Sequence, residues 1–182
     1  VYKRQIEGWV ITIPEYVKKY QPGAAVPLYF SAVLDREPES YGSFHGNTQL
    51  ADAKESKGTG AGMYFTFSNE QQEAVTAKIG LSYTSVENAR INLQAEAEGK
   101  TFEDAKEQAH QIWQEYLGRI EVETSKREDK VKFYTGLYHA LLGRGLANDV
   151  NGAYPRNDGS VGQLPMKEGK PQYNVYNTDA AW

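Results

Sequence analysis

The periodicity of this chain changes near Tyr83, and that change limits what it can fold into. Ahead of Tyr83, apolar residues alternate or form short β-branched and aromatic blocks. Behind it, they recur every three or four positions. Strands first and helices afterwards cannot build alternating βαβ units. Such segregation implies two packed units in sequence, a segregated α+β class.

The strand half reads as follows. WVITI (9–13) is a β-branched and aromatic run that Pro14 ends. EYVKKY (15–20) fits a short turn or edge segment, and Gln21, Pro22 and Gly23 punctuate the chain. VPLYFSAVL (26–34) follows, then a polar turn, DREPESYG (35–42), and a charged hairpin, KESKGTGA (54–61). MYFTF (63–67) and VTAKIGLSY (75–83) are the last strands, the latter alternating with period two. Several short strands split by turns predict an antiparallel β-sandwich, with too little chain for a complete large one.

Three helices are expected next. Thr84 and Glu87 have the spacing of a capping box, with Val86, Ala89, Leu93 and Ala97 on one face and Gly99 as the stop. Thr101 and Asp104 repeat the signal ahead of a stripe formed by Phe102, Ala105, Ala109, Ile112, Trp113, Tyr116, Leu117 and Ile120. Ser125 and Glu128 open a third helix carrying Val131, Tyr134, Leu137, Tyr138, Leu141 and Leu142, which ends at Gly143 and Gly145. It runs into a Gly-punctuated loop bearing Asp149 and Asn151. Residues 148–152, 157–159 and 167–171 are turn-rich, and YNVY (173–176) is short and extended.

At 182 residues the chain suffices for one domain or parts of two. A net charge of −4 gives no electrostatic case for nucleic acid or an acidic membrane surface. Without Cys, disulfides and thiolate metal sites are excluded. No apolar run is long enough to cross a bilayer, and no signal peptide is visible. The chain enters a strand-like run directly at Val1 and stops after an aromatic and polar cluster at Trp182, so a piece of a longer polypeptide is expected.

Few residues invite chemistry. Asp149, Asn151 and Asp158 stand in Gly-containing loops, and their oxygens suit Ca²⁺. Their spacing does not match a twelve-residue calcium loop, and Asx-Gly pairs are turn formers first. His139 beside an apolar helical face reads as structural, and His45 and His110 form no triplet with it. No zincin motif, nucleophile elbow, P-loop or dinucleotide fingerprint is present. The GTGAG string (58–62) lies between strands with no helix behind it, so it reads as a hairpin rather than a phosphate cradle. Trp113 and the Tyr residues of the third helix obey core spacing. Asp179 and Trp182 are the substrate-binding candidates: a carboxylate accepts from sugar hydroxyls, and an indole covers an apolar sugar face. Pairing any two of the 24 acidic residues as acid and base would be arbitrary.

Four segments carry a resemblance. They are GWVITIPEYV with VPLYFSAVLDREPESYG; KIGLSYTSVENARINLQAE; IWQEYLGRIEVE with KVKFYTGLYHALLGRGLANDVNGAYP; and YNVYNTDAAW. Together, in this order, they resemble glycoside hydrolase family 92, the calcium-dependent exo-α-mannosidases. The resemblance implies an N-terminal β-sandwich, a helical linker and an (α/α)₆ catalytic barrel. On it, residues 1–83 are the last part of the sandwich, 84–124 the linker helices and 125–182 the beginning of the barrel. It also implies release of terminal α-linked mannose with inversion, helped by Ca²⁺. The carboxylates and principal metal ligands of the family come from later parts of the barrel, so no catalytic residue and no metal ligand is assigned to this chain. The family often shows a Trp-Asp pair near TDAAW, where the Asp holds the terminal mannose; here Asp179 precedes Trp182 instead. Implied partners are α-mannoside glycans and the remainder of the parent polypeptide, with no nucleic acid and no membrane. Export by a bacterium, to the periplasm or the exterior, is implied too. The alternatives are a non-catalytic carbohydrate-binding or interdomain module, and a linker piece whose aromatic residues only pack.

Overall fold

The computed structural model describes residues 4–13, 15, 19, 25–68, 73–142 and 145–177. Strands β1 (Gln5–Thr12), β2 (Val26–Leu34), β3 (Ser40–His45), β4 (Thr48–Ala51), β5 (Ala61–Thr66) and β6 (Ala77–Ser82) come first. Helices α1 (Val86–Ala97), α2 (Phe102–Leu117) and α3 (Arg127–Leu141) follow. Six short strands close the described chain: β7 (Gly145–Leu146), β8 (Ala153–Pro155), β9 (Val161–Gln163), β10 (Met166–Lys167), β11 (Lys170–Pro171) and β12 (Tyr176–Asn177). Up to Leu141 this is the segregated order expected from the periodicity; of the short strands behind it, only the region of β12 was read as extended, at 173–176. Of EYVKKY, only Glu15 and Lys19 are described.

Of the two three-stranded sheets among the described residues, the first has the strand order β1-β2-β6 and the second β4-β3-β5; β7 with β12, β8 with β9 and β10 with β11 form two-stranded ones. The second corrects two expectations. The polar turn gives way to strand at Ser40, and β4 was not foreseen, because TQLA has little β-branched or aromatic character. Strand β3 pairs antiparallel with β4 on one side (His45↔Thr48) and with β5 on the other (His45↔Ala61). Residues 52–60 therefore carry the chain from one edge of this sheet to the other and are not a hairpin. Ser56 Oγ donates to Phe44 C=O at 2.9 Å, and Gly46 N–H donates to Gly60 C=O at 3.1 Å, tying the crossing to the end of β3.

By its contacts the chain divides into two units, Val1–Ile6 with Ala32–Ile79, and Glu7–Ser31 with Gly80–Trp182. In the first, Ala32, Leu34 and Ser43 are buried. Arg36 donates to the C=O groups of Ser68 and Glu73, and Asp35 accepts from Thr76 N–H. In the second, the buried apolar residues are Ala89, Leu93, Ala147, Ala153 and Leu164.

In the second unit α1 lies against the end of β6. Gly80 permits this. A Cβ there would stand 2.2 Å from Ala89 C=O and 2.7 Å from Leu93 Cβ. The buried face of β6 is thus the small, polar one, Gly80 and Ser82, whereas Ile79 and Leu81 are exposed. Alternation fixes the period of a strand but not which face meets a neighbour.

Helix starts divide into one expected and two shifted. Thr101 and Asp104 form the full capping box, each side chain accepting from the other's backbone N–H. For α1 the cap is Ser85, which accepts from Asn88 N–H at 3.0 Å, so the box read at Thr84 and Glu87 is not formed. Glu87 pairs with Arg90 instead. For α3 the N-cap is Lys126, without a side-chain cap, and Ser125 does not play that part. Gly99 takes φ +75°, the left-handed stop expected after α1.

The apolar stripes of α2 and α3 exist but are not buried. Trp113 meets Tyr138 at 4.6 Å between ring centroids, and Tyr134 Oη donates to Ile120 C=O at 2.9 Å. Two helices in contact cover only one line of each, so Phe102, Ile112, Tyr116, Val131 and Leu141 remain exposed. The core role expected of Trp113 and the α3 tyrosines is met only in part.

Candidate functional site

A buried, hydrogen-bonded polar cluster of the second unit forms where β6, α1 and the loop after α3 meet. Its centre is Asp149, only 3% exposed. Ser82 and Thr84 place hydroxyls on Asp149 Oδ2 at 3.0 and 2.5 Å. Asn92 donates to Asp149 Oδ1 at 2.7 Å. A buried carboxylate persists only when hydrogen-bonded, and here the donors are all neutral.

Each donor is itself held by the local fold. Ser82 ends β6 and also accepts from Thr84 N–H at 2.9 Å, turning the chain toward α1. Asn92 sits on the Ala89–Leu93 face of α1. Its Nδ2 also donates to Leu81 C=O at 2.8 Å, and its Oδ1 accepts from Val150 N–H at 3.0 Å. Asn88 donates to Thr84 Oγ1 at 2.7 Å and accepts from Asn151 Nδ2 at 2.9 Å. The loop closes on itself: Asp149 N–H donates to Ala153 C=O, Gly152 N–H to Asp149 C=O, and Ala153 N–H to Asn151 Oδ1.

Asp149 and Asn151 are therefore turn residues, as expected, but also the far ends of bonds from β6 and α1. Sequence reasoning passed over Ser82, Asn88 and Asn92. The available signal was Asn92, a polar residue three positions after Ala89 and one before Leu93, on a face that otherwise reads as core. With its carboxyl oxygens engaged by Ser82, Thr84 and Asn92 and its side chain buried, Asp149 joins the loop after α3 to β6 and α1.

The other candidates stand apart. Asp158 is exposed in the β8–β9 turn, where Ser160 donates to it through Oγ at 2.6 Å and N–H at 2.9 Å. These bonds, the hydroxyl's first, hold its carboxyl below the ordinary aspartate range. His139 is exposed on α3, edge-on to Tyr138. His45 ends β3 and His110 lies on α2. Among the described residues no three His, Cys, Asp or Glu side chains gather as metal ligands. An open hollow along α3, lined by Arg127, Lys130, Val131, Tyr134, Thr135 and Tyr138, includes no residue of the Asp149 cluster. Asp179 and Trp182 lie outside the described residues. The strand that leads toward them, β12, is described and pairs antiparallel with β7 (Tyr176↔Leu146, Asn177↔Gly145).

The fold is similar to parts of several solved enzymes. The gh92 family glycosyl hydrolase ccman5 matches over 98% of this chain with a TM-score of 0.80 and 24% identity. The family GH92 inverting mannosidase BT2199 from Bacteroides thetaiotaomicron VPI-5482 matches over 97% with a TM-score of 0.74 and 22% identity. The family GH92 alpha-mannosidase BT3965 from Bacteroides thetaiotaomicron matches over 97% with a TM-score of 0.72 and 20% identity. This chain spans 22% of the first of these and 23% of the other two. At these identities the likeness is one of fold. No curated protein matches the chain. Residues 1–82 match the glycosyl hydrolase family 92 N-terminal domain, and residues 88–182 match the glycosyl hydrolase family 92 catalytic domain. Two adjoining family models cover strands and helices in turn, and the chain belongs to glycosyl hydrolase family 92.

Proposed function

We propose that this chain is part of a glycoside hydrolase that removes terminal α-linked mannose by an exo-acting, inverting, calcium-dependent reaction, and that it is inactive by itself. The observation that carries the reading is the succession of N-terminal and catalytic family matches along one chain. The solved structures of similar fold support it: one is named an inverting mannosidase, and another was determined in complex with mannoimidazole.

In this reading the strand-built layer and α1 support the entry to the catalytic barrel. Asp179 accepts hydrogen bonds from the hydroxyls of the terminal mannose, and Trp182 covers its apolar face. Inversion requires a general acid and a general base about 6.5–9.5 Å apart, with water between them. Neither is assigned here. The described residues do not fit a calcium site either: the best-placed carboxylate, Asp149, has its oxygens occupied by Ser82, Thr84 and Asn92. The ion's ligands belong to the remainder of the enzyme, which functions in the periplasm or outside the cell.

The test is mannose release from an aryl α-mannoside by the full-length enzyme, with and without EDTA, and with calcium restored. Loss in EDTA and recovery with calcium are expected. Undiminished turnover in EDTA would refute the calcium requirement. NMR of the first-formed sugar should show the β-anomer, and an α-anomer would refute inversion. Absence of mannose release from every α-mannoside tried, together with glycan binding by the chain alone, would replace the enzyme with a binding module.

A further inference from the structure

Residues 83–87 separate the two family matches, yet the chain does not cross between them on a loose linker. Ser82 Oγ accepts from Thr84 N–H at 2.9 Å and from Ser85 N–H at 3.4 Å, and Ser85 caps α1. A closed turn of this kind sets where a helix begins. It does not by itself set the direction in which the helix runs.

A second attachment stands five positions beyond the cap, at Arg90. Arg90 Nε donates to Glu7 Oε1 and Arg90 Nη2 to Glu7 Oε2, both at 2.9 Å, across 83 positions of sequence. Two parallel bonds between a planar guanidinium and a carboxylate fix orientation as well as distance. Each partner is held in turn. Ser31 of β2, which has no exposed surface, donates its hydroxyl to Glu7 Oε1 at 3.1 Å. Arg90 Nη1 donates to Glu87, one turn back on α1. The side chains of Arg90 and Glu7 are 36% and 28% exposed, whereas the Lys106–Glu103 pair on α2 is 66% and 73% exposed. The first pair is therefore partly shielded from water, and the second is an ordinary surface pair. Glu7, Ser31, Glu87 and Arg90 all lie in the second unit. Glu7 and Ser31 fall within the N-terminal family match, and Arg90 falls within the catalytic one.

We propose that Arg90 is an interdomain latch. Glu7, seated by Ser31, is the docking site for the guanidinium of α1, and the pair fixes the first helix of the catalytic family domain on the strands of the N-terminal family domain. Lysine is not equivalent there, because an ammonium is a point charge without a fork. The inference depends on family membership and not on which glycoside the enzyme cleaves.

The experiment is native-state hydrogen exchange of the full-length protein, read in peptides over β1, β2 and α1. The variants are Glu7→Gln, Arg90→Gln, Arg90→Lys, the double variant Glu7→Gln/Arg90→Gln and, as a control on α2, Glu103→Gln. Glu7→Gln should speed exchange in α1, and Arg90→Gln should speed it in β1 and β2, each by about threefold to tenfold. Both substitutions remove the same interaction, so the double variant should match the single ones and not multiply them. Arg90→Lys should fall between Arg90→Gln and the unaltered protein. Glu103→Gln should leave β1, β2 and α1 unchanged. Effects confined to the element that carries the substitution would overturn the proposal, and so would multiplied effects in the double variant. If the Gln variants do not fold, Arg90→Lys decides: faster exchange in β1 and β2 supports the two-point latch, and unchanged exchange there overturns it.

Discussion

Replacing Asp149 with Ala removes the acceptor of three bonds at once, and the structure lets the cost be worked out donor by donor. Ser82 and Thr84 hydroxyls lose Oδ2, but they lie 3.0 Å from each other and can still share one bond. Asn92 Nδ2 loses Oδ1 but keeps Leu81 C=O at 2.8 Å. About one donor is therefore left without a partner. Bonds to a charged acceptor contribute about 1.5–3 kcal/mol each, and an orphaned buried donor costs about 1–3 kcal/mol. Against this, the folded state no longer buries a carboxylate, which offsets several kcal/mol. The balance is a destabilisation of about 3 kcal/mol, confined first to the region that Asp149 ties together. Asp149→Asn should cost less, about 1 kcal/mol, because an amide still accepts from Asn92 and can donate to the hydroxyl oxygens. The assay is native-state hydrogen exchange of the full-length protein, read in peptides covering α1 and residues 145–155. At about 1.4 kcal/mol per tenfold, Asp149→Ala should speed exchange there by roughly a hundredfold, and Asp149→Asn by about fivefold. The α2–α3 peptides should be unaffected. Exchange within about threefold of the unaltered protein in both reporting segments would refute the view that this carboxylate joins α1 to the loop.

Two further outcomes follow from the geometry. Gly80→Ala forces a Cβ to 2.2 Å from Ala89 C=O and 2.8 Å from Leu93 N, both backbone atoms, so α1 must shift; a loss of about 1–3 kcal/mol or more is expected in thermal unfolding. Unchanged stability would mean that α1 does not lie this close to β6. The Asp158 carboxyl should titrate below the ordinary aspartate value when followed by NMR, and Ser160→Ala should move it back up, since the Ser160 hydroxyl is the first cause of the shift and its N–H the second. Because the folded value is the lower one, the carboxylate's contribution to the turn is fully present above the unfolded aspartate range. It is lost as pH falls through the depressed value.

Local chemistry was legible from residue types alone where one element decides its own geometry. Strand β2 occupies the nine residues read for it, VPLYFSAVL. The Thr101–Asp104 box forms as spaced, since both partners lie within one turn. The turn between β10 and β11 falls where residues 167–171 read as turn-rich, but its backbone was not legible. It places Glu168 at φ +52° beside Gly169 at +77°, and a Glu in that position carries no sequence signal.

What the order of amino acids determined, then, is the succession of strands and helices and the family to which the chain belongs. Both follow from patterns read within short windows or in their order along the chain. Only the folded chain decided which pattern faces inward and which polar residues meet. Strand β6 turns Gly80 and Ser82 inward because α1 needs space there, leaving Ile79 and Leu81 outside. Asp149 gathers donors from residues 57, 65 and 67 positions away. No local period encodes a bond across that distance; the return of the chain past β6 and α1 creates it.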